Sequence, residues 1–433
     1  MEKKICDTYV EILRQELVPA LGCTEPIAIA YACAKAREVL GCFPQAMEVW
    51  CSGNIIKNVK GVTVPRSGGM RGVEAAALLG VVGGDAGNKL EVLAPVTQAH
   101  REQVQALLEQ RFCVCRLQEG VENLYIRARL SAGGHWAQVT VTGRHTHIAS
   151  ILRDGESLLQ DDSHCTAKKG PDKSLLSVEK ILEFADTTPL DLVAPILERQ
   201  IQMNSAIADE GLRHAYGAQV GRTILEVYGN GVKARAKARA AAGSDARMGG
   251  CPLPVVINSG SGNQGMTVSL PVIEFARELQ VSHEKLLRAL IVSNLVAVHQ
   301  KKYIGSLSAY CGAVSAACGS GAAITYLYGG GYQEVAATIT NTIANVGGIV
   351  CDGAKASCAA KIASAVDAAI LGHFLGCRHC TFRPGEGLVQ ENVEETIENV
   401  GYIGRVGMKE TDTEILRLMI DREDKLDEIH QMA

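Results

Sequence analysis

The sequence predicts an α+β fold, with N-terminal helices and an α/β region containing a strand meander, followed by a mostly α-helical C-terminal domain. Three observations predict it. Short β-rich runs fill the stretch from Met47 to about Leu158. Helical spacing takes over after Leu176 and continues to the end. A polar connection, 159–175, separates the two. At 433 residues the chain exceeds one ordinary domain. The expected organisation is N-terminal helices over 1–45 packing on the C-terminal domain, an α+β domain over 46–160, and a helical domain over 176–433 that carries the site.

In chain order, residues 3–20 read as an amphipathic helix with apolar positions at Ile5, Tyr9, Ile12, Leu13 and Leu17. Thr24-Glu25-Pro26 opens a second helix running to about Leu40, with Thr24 as its expected N-cap and Pro26 in its first turn. Strands are expected at 47–51, 90–95, 111–117, 122–131, 135–143 and 145–152. The last three form the meander, turned by Ala132-Gly133-Gly134 and Gly143-Arg144. Helices are expected at 72–83 and 97–110. Beyond the connection, the candidate helices are 177–186, 188–206, 213–240, 267–279, 283–300, 312–328, 332–346, 352–375 and 390–400. The loop 243–266 is rich in glycine and serine.

Composition narrows the function classes. Net charge is -4, with no basic stripe for nucleic acid and no polybasic segment for a membrane surface. The most apolar segment, Ser357 to Leu375, carries Lys361, Asp367 and His373, which suits a buried helix better than a span. No signal-type apolar stretch follows the first residues. A soluble, cytoplasmic protein is expected. Fifteen cysteines, an odd number, argue against a disulfide framework in that compartment. Some are core residues; others could hold metal.

Five cysteines stand in positions that could carry chemistry. Cys23 precedes a predicted helix N-terminus, where unpaired amides and the helix dipole should lower a thiol pKa. Cys311 and Cys318 are seven residues apart, as are Cys351 and Cys358. On one helix that spacing gives a shared face but about 10 Å along the axis, long for one compact cluster. The conflict is relieved if Cys351 lies in a turn before a helix capped by Asp352, with Gly353 allowing a close approach. By spacing alone, cysteines lining Ala-rich helix packing are the better explanation.

Gly22-Cys-Thr-Glu-Pro26, Tyr310-Cys-Gly312 and Cys351-Asp-Gly-Ala-Lys-Ala-Ser-Cys358, in this order, resemble the L-cysteine desulfidase family, which is related to the alpha part of iron–sulfur L-serine dehydratases. The similarity extends to Ser67-Gly-Gly-Met-Arg-Gly72 and Asn258-Ser-Gly-Ser-Gly-Asn-Gln-Gly265. The resemblance implies a [4Fe–4S] cluster on Cys311, Cys351 and Cys358, oxygen-sensitive and with one open iron. It implies Cys23 as the catalytic proton acceptor and L-cysteine as a small-molecule substrate, split into sulfide, ammonia and pyruvate. No pyridoxal phosphate is then required. Cys318 is an additional candidate ligand.

For substrate binding, the Asn258–Gly265 loop could form a backbone nest for a carboxylate, with Asn263 and Gln264 adding hydrogen bonds. Arg71 could pair the same carboxylate. Of the charges before Tyr303, Lys302 is the candidate for orienting substrate. His147, in the meander, reads as a sheet-face residue. Cys377-Arg-His-Cys380 could bind zinc or exchange disulfides, but lacks further ligands. Cys113 and Cys115 read as core. Two alternatives stand beside the desulfidase: an iron–sulfur L-serine dehydratase, and a non-catalytic iron–sulfur or zinc sensor. A homo-oligomer is compatible with the sequence.

Overall fold

A computed structural model describes residues 2–161, 170–305 and 307–420. Helix α1 (Lys3–Glu16) is followed by strand β1 (Pro19–Leu21) and helix α2 (Thr24–Leu40). The helix expected over 3–20 thus ends early. Pro19 cannot continue it, and the segment instead pairs antiparallel with β8 (Pro254–Val256), Pro19 opposite Val256. This small ribbon ties the N-terminal segment to the C-terminal half. Tyr9 of α1 stacks on Phe184 at 5.2 Å.

Between these lie β2 (Ala46–Cys51), α3 (Gly53–Lys60), α4 (Val73–Gly83), α5 (Gln98–Glu109), β3 (Cys113–Leu117), β4 (Tyr125–Ala132), β5 (His135–Thr142), β6 (Ile148–Arg153) and β7 (Glu156–Gln160). The six strands form one sheet in the order β3-β2-β4-β5-β6-β7. Only β2 and β3 run parallel, joined by the long crossover that a parallel pair requires. Alternate residues Met47, Val49 and Cys51 of β2 and Ile126, Ala128 and Leu130 of β4 point into the core. Helix α2 covers this face together with α4.

Several expectations fail here. The apolar run 90–95 is no strand. Asp85 caps a 3-10 turn over Ala86–Glu91, and Leu90, Val92 and Leu93 are buried from irregular backbone. Helix α3 and strand β7 were not expected. Of the polar connection expected over 159–175, residues 162–169 lie outside the described residues, its start belongs to β7, and its end forms a 3-10 turn at Lys173–Leu175.

The remaining helices are α6 (Val178–Thr187), α7 (Ala194–Arg213), α8 (Val220–Tyr228), α9 (Val232–Met248), α10 (Gly262–Glu278), α11 (His283–Ile304), α12 (Gly312–Leu327), α13 (Tyr332–Val346), α14 (Cys358–Gly376), α15 (Val393–Tyr402) and α16 (Lys409–Ile420). The segment expected as one helix over 213–240 is two, broken at Gly229-Asn-Gly231. The helix expected over 188–206 begins only after a 3-10 turn at Leu190–Leu192 and runs on to Arg213. The helix expected over 267–279 starts five residues sooner, at Gly262, and α16 was not foreseen.

Helix α12 is the centre of the bundle. From Ala313 to Leu327 every residue is buried, with α10, α11, α13 and α14 around it. Its run of Ala, Gly and Ser lets neighbouring backbones approach closely, and all-round apolarity is what a central helix requires. Helix α14 is long and apolar enough to cross a membrane by length and composition, and 50% of its most apolar window is buried inside the protein.

Candidate active site

Four helices begin at one small chamber of about 110 Å³. Cys23 is the N-cap residue of α2 and Cys311 that of α12, while Cys358 is the first residue of α14. Ser261 caps α10, its Oγ accepting from the Gln264 N–H at 3.5 Å. Residues from all four N-termini line the chamber. Each terminus presents unpaired amides and the positive end of a helix dipole, so the chamber favours anions.

The cysteine-bearing loops are held together by backbone pairing. Tyr310 and Val350 form a β-bridge, with Cys311 N donating to Ile349 O at 3.0 Å and Cys351 N to Ala309 O at 2.6 Å. That bridge brings Cys311 and Cys351 side by side, and the neighbouring Cys311 proton, against the cost of burial, and the ammonium of Lys57 pull the Cys351 thiol below its ordinary range. Burial pushes the Cys358 thiol up.

The turn 351–357 is not the helix start expected at Asp352. Ser357 is the N-cap residue, and Asp352 instead pairs with Lys355 and Lys361. Gly353 has φ +96, and a Cβ there would meet the Lys57 carbonyl oxygen at 2.4 Å, so only glycine fits. Cys318 is fully buried inside α12, away from the chamber lining, as a seven-residue separation along one helix dictates. Cys377 and Cys380 are exposed.

Cys23, not Thr24, is the N-cap residue of α2, and Thr24 Oγ1 bonds the carbonyl of Gly260 at 2.9 Å. The Cys23 thiol is 2% exposed and donates to Glu25 Oε2 at 3.0 Å. The expectation of a lowered pKa fails. Burial pushes it up, and the adjacent Glu25 charge adds to that, outweighing the helix terminus and Arg247. Burial also opposes the charge on Glu25, but His145 and the Cys23 hydrogen bond prevail and hold its carboxyl at about 2. His145 Nε2 stands 3.7 Å from Glu25 Oε1, beyond hydrogen-bond reach, and Asn58 Nδ2 reaches the same oxygen at 3.4 Å.

Asn263 and Gln264 line the chamber as expected by sequence, but from the first turn of α10. The loop before it is a tight hairpin in which Asn258 and Ser261 exchange both backbone hydrogen bonds. Asn263 Oδ1 accepts from Arg247 Nη1 at 3.1 Å, and Arg247 Nε bonds the Gly22 carbonyl at 2.8 Å. Buried and unpartnered polar atoms face this region: Gln264 Oε1, Tyr310 Oη and His145 Nε2.

Two sequence candidates lie elsewhere. Arg71 is exposed and outside the chamber. Lys302 turns away, its Nζ bonding the Leu176 carbonyl at 3.0 Å. Its neighbour Lys301 lines the chamber instead, 7% exposed, and burial pulls its ammonium down to about 8 against the pull of Cys351 and Cys311. One position along a helix is a rotation of about 100°, which is the whole difference. Glu25, His145 and Arg247 were missed. Glu25 was visible inside the Cys-Thr-Glu-Pro motif, whereas His145 and Arg247 had no local signal.

A second cavity, about 520 Å³, adjoins the chamber and shares His145, Ser259, Gly260 and Lys301 with it.

The serine dehydratase alpha chain family matches residues 87–417. A UPF0597 protein of Lachnoclostridium phytofermentans is 55% identical over 412 residues, 95% of this chain and 99% of its own length. UPF0597 proteins of Desulfitobacterium hafniense and Treponema denticola are 52% and 46% identical, covering 96% and 97% of this chain and 97% and 99% of their own lengths.

Proposed function

Because the chain belongs to the serine dehydratase alpha chain family, we propose that it is an L-cysteine desulfidase, removing sulfide from L-cysteine by β-elimination. That family implies an iron–sulfur cluster; our reading is a [4Fe–4S] cluster on Cys311, Cys351 and Cys358. The residues fit such a group. Three thiols line one chamber with unpartnered polar atoms beside them and helix N-termini behind two of them. Among the described residues, no three His, Cys, Asp or Glu side chains are close enough to hold a single metal ion. When bound, the cluster supplies a thiophilic Lewis acid beside the departing sulfur.

The chain's own residues do the rest. The carboxylate of the substrate meets Lys301, Arg247 and the amides at the start of α10. The adjoining cavity of about 520 Å³ shares Ser259, Gly260 and Lys301 with the chamber and gives a small amino acid its way in. Cys23 acts as the thiolate, its proton leaving by way of His145, which lines both the chamber and the outer cavity, while Glu25, 3.0 Å away, stays a carboxylate and orients the thiol. The thiolate then takes the α-proton, the C–H pair becomes the Cα=Cβ bond, and the Cβ–S pair leaves as hydrosulfide. The sum is cysteine to aminoacrylate, hydrosulfide and a proton. Aminoacrylate hydrolyses to pyruvate and ammonia in water.

The observation carrying this reading is the meeting of Cys23 with Cys311, Cys351 and Cys358 in a single chamber. The family's description favours serine as the competing substrate, and hydroxide would leave from the same position. Anaerobic assays of pyruvate with L-cysteine and L-serine side by side, with sulfide measured in the first, decide between them. A kcat/KM for serine above that for cysteine would overturn the desulfidase reading.

A further inference from the structure

Helix α3 lies between the cysteine turn and the last described helix. Its residues at 53, 57 and 60 fall on one face by helical spacing, with Asn54 beside them. Each meets α16. Gly53 seats Leu416: a Cβ at that glycine would stand 2.1 Å from Leu416 Cδ2. Asn54 Nδ2 donates to Asp412 Oδ2 at 2.7 Å, Lys57 forms an ion pair with Asp412, and Lys60 bonds the Met419 carbonyl.

Lys57 faces both ways. Its side chain is 1% exposed, and the Nζ that pairs with Asp412 also reaches the Cys351 carbonyl at 3.4 Å. Its own carbonyl is what closes against Gly353. A buried ammonium is strongly disfavoured without a carboxylate, so Asp412 is what allows Lys57 to remain there. The sequence gap from Cys351 to Asp412 hides this link, because Asp412 stands 61 positions further along the chain.

We infer that Lys57 is a positioning residue for the Cys351–Gly353 turn, and that α16, docked through Asp412 and Leu416, is the strap that keeps it in place. The inference rests on the reading of Cys351 as a cluster ligand, but the strap is a property of the chain itself. Coupling of this kind is reciprocal: whatever α16 does for the group held at Cys351, that group does for α16.

Two measurements test it. The first is hydrogen exchange on cluster-free protein, wild type against Asp412→Asn. Residues 349–358 should exchange at least about 5-fold faster in the variant, while α13 stays unchanged. Equal exchange in 349–358 overturns the inference. The second uses anaerobically reconstituted protein and follows loss of visible absorbance to an iron chelator. Asp412→Asn should lose it several-fold faster, and reconstitution of the wild type should slow exchange in 409–419. Because Asp412→Asn leaves a buried charge, the double variant Lys57→Met/Asp412→Leu is made as well. It removes the pair without stranding a charge. Wild-type melting with faster chelator loss supports a positioning role; wild-type melting with wild-type retention overturns it. If the wild type takes up no iron, the proposed function fails, and the exchange in cluster-free protein still judges the strap.

Discussion

The Sγ of Cys23 lies 3.0 Å from Glu25 Oε2 and donates its proton to that carboxylate. Both residues are buried. Burial and the Glu25 charge both hold the proton on the thiol, while the carboxylate itself stays ionised beside His145. The pair therefore works as one unit, with Glu25 setting how readily Cys23 becomes a base.

Glu25→Gln keeps the shape and removes the charge that raises the Cys23 thiol. Alkylation of Cys23 by iodoacetamide in cluster-free protein should become several-fold faster at pH 8, and Glu25→Asp should stay near wild type. Equal or slower alkylation in Glu25→Gln would mean that Glu25 does not govern the thiol.

Cys351 lines the chamber beside Cys311 and Cys358. Cys351→Ala should abolish iron uptake, visible absorbance and sulfide release together after anaerobic reconstitution. Cys318→Ala should leave all three near wild type, since Cys318 is inside α12. Full activity in iron-free Cys351→Ala protein would remove the cluster from the reaction.

Lys301 and Lys302 offer a sharp contrast. Lys301 lines the chamber, whereas Lys302 bonds the Leu176 carbonyl. Lys301→Met should raise KM for L-cysteine by about 10- to 100-fold, the worth of one charge-assisted hydrogen bond. Lys302→Met and Arg71→Ala should each stay within a few-fold of wild type. Steady-state kinetics under anaerobic conditions reads all three. A larger effect at Lys302 than at Lys301 would reverse the assignment.

His373, buried in α14 with Thr325 Oγ1 2.9 Å from its Nδ1, predicts a pH effect on stability. Burial pulls its pKa down to about 4, below the ordinary value of 6.5. The unfolded chain therefore binds a proton more readily between these values. Stability should fall as pH drops from about 6.5 towards 4, by at most about 1.4 kcal/mol per pH unit. Asp245 acts with the opposite sign, its carboxyl pushed up to about 6 by burial, so that folding gains as pH falls below 6. Denaturant melts of cluster-free wild type and His373→Gln at pH 7 and 5 separate the two. The variant should lose less stability on acidification; an equal loss removes His373 as the cause.

Local signals read well where a residue's neighbours in sequence are also its neighbours in space. Helix α2 runs from Thr24 to Leu40 as its Pro26 and apolar run require, and the meander of β4, β5 and β6 follows its glycine turns. They fail where a distant partner intervenes. Residues 17–21 leave the helix to pair with β8, and 90–95 turn inward as irregular backbone. Residues 351–357 stay out of helix, with Gly353 closed against the Lys57 carbonyl and Asp352 paired with Lys355 and Lys361.

What the sequence by itself determined was the chemistry on offer: thiols at 23, 311, 351 and 358, amides at 263 and 264, and glycines at the turns beside them. Only the tertiary structure decided which of these share a space, and which charges join them. Lys301 rather than Lys302, Glu25 and His145 beside Cys23, and Arg247 behind Asn263 all follow from how helices are rotated and docked. The physical reason is that a helix's sequence sets the order of its side chains, while the direction each one faces is set by the elements packed against it.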